Sequence, residues 1–475
     1  MKRTLRRSMM ILIVALIIIG GVGYFSYNLV TEHNTWLNMA YNRHISSDGG
    51  LTQAGTITDR NGVELAKSVN GKRVYNDDKT VRESLLHVVG DDTINIGTAI
   101  QSMYRMNLTG YSYLWGLGLP TSLKSDSDMS LTVDASVCSE VYSLFNGRAG
   151  ACVVYNYKTG EVLCDVSSLS YDPANPPEIT EENQEDYKGV YVDNVVSSSY
   201  TPGSVFKLVT TAAALKYIDD IDTRQWYCEG TEKIGGDDDS CKVYCNDSIA
   251  HGSETLEQAL GNSCNIVFAK IAEELGAKKM TEVANEMGIN SSYSMGNIPI
   301  TAGNYDLSDA NKNQLAWSGV GQYTVLVNPM QMAIICSAIA NEGKPILPYI
   351  IGSDAGILTK IGITTGGGTG SAVMSKDIAN KIGEMMRNNV QNYYGDGSFP
   401  SGLEVAAKTG TGELTRSDGD GSSDKNNAWI VGYCQNEDYP LAFSVVVNNV
   451  EGYGSQNAQP IASAALAACK ASMDK

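Results

Sequence analysis

Apolar positions along the chain fall into three rhythms. The first is continuous: from Met9 to Phe25 no side chain is charged, while the eight residues before that run carry Lys2, Arg3, Arg6 and Arg7 and no acid. At about 1.5 Å of helical rise per residue, the run and the residues after it to Val30 reach about 30 Å, the thickness of a bilayer's hydrocarbon core. Positive flanking charge stays on the cytoplasmic side, so residues 1–8 are predicted to be a cytoplasmic tail, 9–30 a transmembrane anchor, and the chain beyond Glu32 exported. YFSYNLVTEHN is a poor small-x-small cleavage site, which favours an uncleaved anchor over a signal peptide. MQMAIICSAIA and IASAALAAC are too short for a second span, so the topology is expected to be single-pass, type II.

The second rhythm, over residues 31–145, is polar and uneven. AGTITDRNGVELAKSVNGKRVY reads as short strands around an Asn61-Gly62 turn, and SLLHVVG as a further apolar piece. A smaller, mostly-β N-terminal domain is expected here, ending in LTVDASVCSEVYSLFN, a strand passing into a helix capped near Asp134. The third rhythm is sharper. GACVVYNYKTGEVLCDVSS gives two strands joined by a turn, and NAWIVGYCQ and PLAFSVVVNNV return to strands before the closing helix QPIASAALAACKAS. Strands at both ends with helices between them predict an α/β (α+β) domain over 146–475, its antiparallel sheet gathering both ends of the sequence between helices on both sides.

Charge narrows the partners. The net charge is −18, and without the basic residues at the N-terminus the exported part carries about −22. A surface so acidic argues against nucleic acid, whose phosphates need a basic patch. Ten cysteines are spread along the chain without the density of a stapled miniature domain. Cys152, Cys164, Cys336 and Cys434 sit in apolar stretches and read as buried thiols. Cys228, Cys241 and Cys245 bracket the polar EGTEKIGGDDDS, a loop that one disulfide could close, with the pairing open. A zinc site is set aside, because His251 is the only fourth ligand close in sequence. ITTGGGTGSAV lacks the Gly-Lys-Ser/Thr end of a phosphate loop and reads as a flexible connection.

Candidate chemistry centres on SSSYTPGSVFK, residues 197–207. Pro202 stiffens the approach and Gly203 permits a tight turn, which puts Ser204 in the first turn of a helix and Lys207 on the same face. A serine hydroxyl is a poor nucleophile until a neighbour takes its proton, and a desolvated lysine can do so. Ser-x-x-Lys alone is weak, since Ser472 to Lys475 also match it. Ser263 and Asn265 open the amphipathic NIVFAKIAEEL, a second weak pattern that recurs at Ser26, Ser68 and Ser455. The third is Lys408-Thr409-Gly410-Thr411. A lysine and two hydroxyls on an edge strand can clamp a carboxylate, and the glycine admits a ligand backbone. Lys158-Thr159-Gly160 spells the same triplet but precedes Ser204 and occupies a hairpin turn, so it is assigned to turn chemistry. In the order 204, 263, 408 the three weak patterns make a specific one.

These stretches resemble the penicillin-binding proteins, and among them the monofunctional class B peptidoglycan D,D-transpeptidases. YTPGSVFK is similar to the family's nucleophile motif, HGSETLEQALGNSCN to its second, AAKTGTGEL to its third, AGTITDRNGVELA to the start of its pedestal, and GVGQYTVLVNPMQMAIICSAIANEG to its Gly-Gln segment. The resemblance implies an elongated pedestal over 31–145 and a transpeptidase domain over 146–475. It also implies Ser204 as nucleophile, Lys207 as base, Ser263 as proton relay tuned by Lys408, and Asn265 orienting the donor peptide and Lys207. Thr409, Gly410 and Thr411 would bind the substrate, with the backbone N–H groups of Ser204 and Thr411 as oxyanion hole. The implied partners are peptidoglycan stem peptides from lipid II-derived strands, β-lactams and a membrane glycosyltransferase; no metal or cofactor is implied. The chain departs from the family at Ala54, Ala407, Tyr323 and Asn427, and Ala407 and Tyr323 are expected to narrow the cleft or to alter its response to β-lactams. A D,D-carboxypeptidase, a membrane-bound β-lactamase and a non-catalytic β-lactam sensor or scaffold are the alternatives.

Overall fold

The computed structural model of the chain describes residues 2–37, 51, 54–93, 95–109, 128–354, 367–415 and 422–475. It begins with one helix, Lys2–Leu37. Within it Arg7–Asn28, about 33 Å long by its helical rise, is long and apolar enough to cross a membrane. Apolar side chains such as Ile11, Ile17 and Ile19 stand exposed along this helix, a surface that suits lipid better than water.

The N-terminal sheet has five strands in the order Ile351–Asp354, Met129–Leu131, Ile57–Thr58, Glu64–Val69 and Lys72–Tyr75. The Asn61-Gly62 turn falls between Ile57–Thr58 and Glu64–Val69, with Gly62 at φ +81° and its N–H donated to the Asp59 carbonyl. SLLHVVG is helical. Lys79–Ser84, capped by the Asp78 carboxylate on Thr80 N, runs into Leu86–Val89, and Ile100–Met103 and Arg105–Leu108 follow. The region expected to be mostly β is therefore mixed: Leu85, Val88 and Val89, all buried, repeat at helical spacing, which a seven-residue apolar run does not reveal by eye. The strand Ile351–Asp354 reaches this sheet from far along the chain, pairing antiparallel with Met129–Leu131.

The second five-stranded sheet is antiparallel throughout, in the order Val405–Thr415, Ser422–Cys434, Leu441–Val450, Gly150–Asn156 and Val162–Ser168. The two ends of the domain do meet in it. Every residue of Gly150–Asn156 is buried, because both faces of the sheet are covered. Asp134 starts the helix Ala135–Phe145 by accepting from Ser136 N and Val137 N, and this helix packs with Gln459–Met473 on one side. Pro329–Ala340 and Lys376–Asn389 cover the other. Val405–Thr415 is left as the edge strand, so one side of its backbone faces the site rather than another strand. Of the glycine-rich connection, residues 363–366 lie outside the described residues.

Candidate active site

The Ser204 turn is fixed from both sides by backbone. A 3-10 turn, Gly203–Phe206, leads into the helix Lys207–Tyr217. Gly203 has φ +53°, and a Cβ there would lie 2.1 Å from the Thr411 carbonyl oxygen; a Cβ on Gly412 would lie 2.1 Å from that of Thr201. Only glycines let the turn approach the edge strand this closely. Gly203 N donates to the Gly321 carbonyl at 3.0 Å and Trp429 Nε1 to the Thr201 carbonyl at 3.0 Å. Ser204 is half-buried at the surface of this clamp, while Lys207, one helical turn on, is fully buried.

Three of the sequence-predicted residues meet around one hydroxyl. Lys207 Nζ donates to the Ser263 carbonyl at 2.6 Å and to Asn265 Oδ1 at 2.8 Å, and lies 3.2 Å from Ser263 Oγ. Lys408 Nζ lies 3.1 Å from the same Oγ and donates to the Thr409 carbonyl at 2.8 Å. Burial, with the charge of Lys408 adding to it, pushes Lys207 down to about 7, and burial alone brings Lys408 to about 7. Two contacts of Lys207 are to pure acceptors and use two N–H groups, so a neutral amine keeps a lone pair for a hydroxyl proton. Ser263 holds its place with φ +56°, a left-handed conformation that a non-glycine residue adopts at a cost of about 1–3 kcal/mol. Asn265 opens the helix Asn265–Glu286 and donates through Nδ2 to the Tyr244 carbonyl at 2.7 Å, which fixes the face its Oδ1 offers to Lys207.

Along the edge strand, exposure alternates as a strand requires: Lys408, Gly410 and Gly412 are buried, Thr409 and Thr411 half-buried. The two hydroxyls thus occupy the accessible side, and the Lys408 ammonium lies beneath them on Ser263 Oγ. That position suits a charge that tunes Ser263 rather than one that clamps a carboxylate directly. Ala407 is fully buried and pairs with Gly432, so its methyl group is accommodated inside the sheet and does not narrow the cleft. Tyr323 does stand at the cleft. With Tyr244, Trp317, Gln322 and Glu413 it lines a cavity of about 270 Å³ beside the end of the edge strand. Lys158 is in the hairpin turn after Gly150–Asn156, half-exposed and 3.9 Å from Glu437, with Gly160 at φ +90°.

Several contributors carried no local signal. Tyr394 accepts from Thr409 N at 3.3 Å and Asn389 Nδ2 donates to the Ala407 carbonyl at 3.1 Å, both from elements with no motif. The cysteines also differ from expectation. All ten are free thiols; Cys241 lies apart, and Cys228 Sγ is 3.7 Å from Cys245 Sγ, far beyond the roughly 2.05 Å of a disulfide. The expectation of no metal-ligand set is corrected as well, because Cys264, inside the Ser263-Cys264-Asn265 motif, joins Cys228, Cys245 and His251 with all four donor atoms within 4.8 Å of one another.

Comparison with known proteins identifies the family and the fold. Residues 150–467 match the family described as penicillin binding protein transpeptidase domain. The chain is 29% identical over 346 residues to the peptidoglycan D,D-transpeptidase PbpA of Mycobacterium tuberculosis, covering 67% of this chain and 66% of that relative, just under two thirds of its length. Among solved structures, the D,D-transpeptidase domain of a peptidoglycan glycosyltransferase from Eggerthella lenta superposes with a TM-score of 0.71 at 27% identity, covering 87% of this chain and 98% of that one. Penicillin-binding protein A from M. tuberculosis, solved as a ceftriaxone acyl-enzyme complex, gives a TM-score of 0.75 at 23% identity, covering 89% of this chain and 99% of that one, a likeness of fold.

Proposed function

We propose that this chain, which belongs to the penicillin binding protein transpeptidase family, is a peptidoglycan D,D-transpeptidase that cross-links stem peptides through an acyl-enzyme on Ser204 and is acylated there by β-lactams. The observation that carries the reading is the pair of buried amines, Lys207 and Lys408, converging on Ser263 Oγ beside the Ser204 turn. Neutral Lys207 takes the proton of Ser204 Oγ as that oxygen attacks the carbonyl between the two terminal D-alanines. The backbone N–H groups of Ser204 and Thr411 stabilise the oxyanion, and Thr409 and Thr411 bind the terminal carboxylate with Gly410 between them. Ser263 passes a proton to the leaving D-alanine amine, with Lys408 holding its hydroxyl, and Asn265 keeps Lys207 in place. The amine of a neighbouring stem peptide then displaces Ser204 Oγ and restores its proton.

The same reading places the domain boundaries at 1–8, 9–30, 31–145 and 146–475, with the helix through Arg7–Asn28 as a single-pass type II anchor and the catalytic domain outside. Glycan polymerisation falls to a membrane glycosyltransferase partner. The test is incubation of the full-length chain in detergent with a labelled penicillin, followed by mass location of the adduct and timing of its release. Slow release from Ser204 is expected; rapid turnover would point to a β-lactamase, and no adduct in folded protein would overturn the reading. Lys207→Met should cut acylation about 10²- to 10⁴-fold, the usual worth of positioned acid–base help.

A further inference from the structure

We propose that Cys228, Cys245, His251 and Cys264 bind one zinc ion in a closed tetrahedral site that fastens the segment 226–254 to the start of the helix carrying Asn265. Three thiols and one imidazole are a donor set of structural zinc, and soft thiolate ligands exclude magnesium and calcium. Spacing supports the same ion. With Zn–S bonds of about 2.3 Å and a Zn–N bond of about 2.0–2.1 Å, a regular tetrahedron has S–S edges of about 3.8 Å and S–N edges of about 3.6 Å. Cys228 Sγ to Cys245 Sγ is 3.7 Å, Cys245 Sγ to Cys264 Sγ is 3.8 Å and Cys228 Sγ to His251 Nδ1 is 3.5 Å.

A second observation points to a cation. Glu254 is 1% exposed; its Oε1 accepts from Asn262 Nδ2 at 2.7 Å, but its Oε2 has no hydrogen-bond partner among the described residues and lies 3.8 Å from His251 Nδ1. A buried carboxylate oxygen without a donor is costly, and a divalent ion in the tetrad would supply the positive charge it faces. The three cysteines are buried, so four protein donors leave no open position for a water, as in a structural rather than a catalytic zinc site.

The ligands come from three places. Cys228 ends the strand Trp226–Cys228, Cys245 and His251 flank the loop after Lys242–Tyr244, and Cys264 is the residue before the helix Asn265–Glu286. Binding would therefore pin Tyr244, next to Cys245, and Asn265, next to Cys264, to one centre. These are the two residues joined by the Asn265 Nδ2 to Tyr244 carbonyl bond, through which Asn265 is turned toward Lys207. The ion would act as a positioning element for the second motif and would touch no reacting atom.

Metal analysis of the full-length chain purified in detergent tests this independently of any transpeptidase activity. About one zinc per chain is expected, falling at least fivefold in Cys228→Ser and in His251→Ala. The wild-type chain, stripped with a chelator and reloaded with cobalt(II), should show the visible absorption of tetrahedral thiolate-bound cobalt, a readout that does not depend on any variant folding. Chelation should also make Cys228, Cys245 and Cys264 newly reactive to a thiol reagent under native conditions. A wild-type chain that carries no zinc and takes up no cobalt would overturn the site. So would zinc retained undiminished in both variants, or an intact mass showing a disulfide between two of the three cysteines.

Discussion

The tripeptide Lys-Thr-Gly occurs twice in this chain, and its two copies lie in opposite circumstances. Lys408-Thr409-Gly410 is on the edge strand, its lysine fully buried and its ammonium 3.1 Å from Ser263 Oγ. Lys158-Thr159-Gly160 rounds a hairpin, its lysine half in solvent and loosely paired with Glu437. Burial draws Lys408 down to about 7. Both glycines are packed against backbone, but against different parts of the molecule. A Cβ on Gly410 would press on Pro202 O and Val205 N of the Ser204 turn at 2.8 and 2.9 Å, whereas one on Gly160, which also has φ +90°, would lie 2.6 Å from the Leu347 carbonyl oxygen. What a motif does is decided by what surrounds it.

The largest test of that contrast is Lys408→Ala, expected to slow β-lactam acylation of Ser204 by about 10²-fold or more, the scale of a lost proton-transfer partner. Stopped-flow acylation with a chromogenic cephalosporin reads it. Gly410→Ala should likewise depress acylation at least tenfold by pushing the Ser204 turn off the strand. Gly160→Ala should leave the rate per folded molecule unchanged and lower stability instead by about 1–3 kcal/mol, the usual cost of a non-glycine residue at positive φ, measured by urea unfolding.

A pH series sharpens the comparison further. In its proposed role as base Lys207 acts only when neutral, so acylation should rise with pH through about 7, not through the 10.5 of a free lysine. In Lys408→Ala that midpoint should move up, because one of the charges disfavouring protonation of Lys207 is gone. Stability should follow the same ionisations. A lysine whose folded value is lowered binds its proton less readily in the native state, so between about pH 7 and pH 10.5 stability rises with pH, by about 1.4 kcal/mol per unit for each such lysine. Lys408→Met should remove one share of that slope. The smallest expected effect is that of Lys158→Ala: acylation within about twofold of wild type, the same midpoint, and a stability change below about 1 kcal/mol, as for an exposed ion pair. Equal losses in Lys158→Ala and Lys408→Ala would erase the distinction between the two copies.

Much of this arrangement was legible in the sequence because it is written in local signals. The Asn61-Gly62 turn, the Asp134 cap, the hairpin from residue 150 and the paired terminal strands follow from turn chemistry, capping and apolar pattern. The order of the three motifs singled out Ser263 and Lys408, which meet with Lys207, and Ser204, which sits on the turn packed against the strand that carries Lys408. The helices under SLLHVVG were not visible, since a short apolar run has no distinctive period, nor was the strand Ile351–Asp354, whose partner Met129–Leu131 is remote in the chain. Cys264 was missed for a related reason. Its three neighbours were sought along the sequence, where Cys241 looked nearest, while the ligand atoms that meet are brought together by the fold. Tyr394 likewise acts through a contact of its hydroxyl with the Thr409 backbone that any tyrosine could make.

The place of Gly150–Asn156 between Leu441–Val450 and Val162–Ser168 has a consequence for the order in which the molecule can assemble. Its partners on one side, Val162–Ser168, are synthesised at once, but those on the other, Leu441–Val450, come only much later in the chain, with Val153 waiting for Ser444 and Gly150 for Val447. Until then an apolar hairpin carries an open edge, the kind of surface that pairs with other chains. The Ser204 turn is made early as well, yet the strand that clamps it arrives between residues 405 and 415. Such distant pairings make folding slow, so a nascent chain passes through a long interval in which the Ser204 turn exists and the strand it docks against does not.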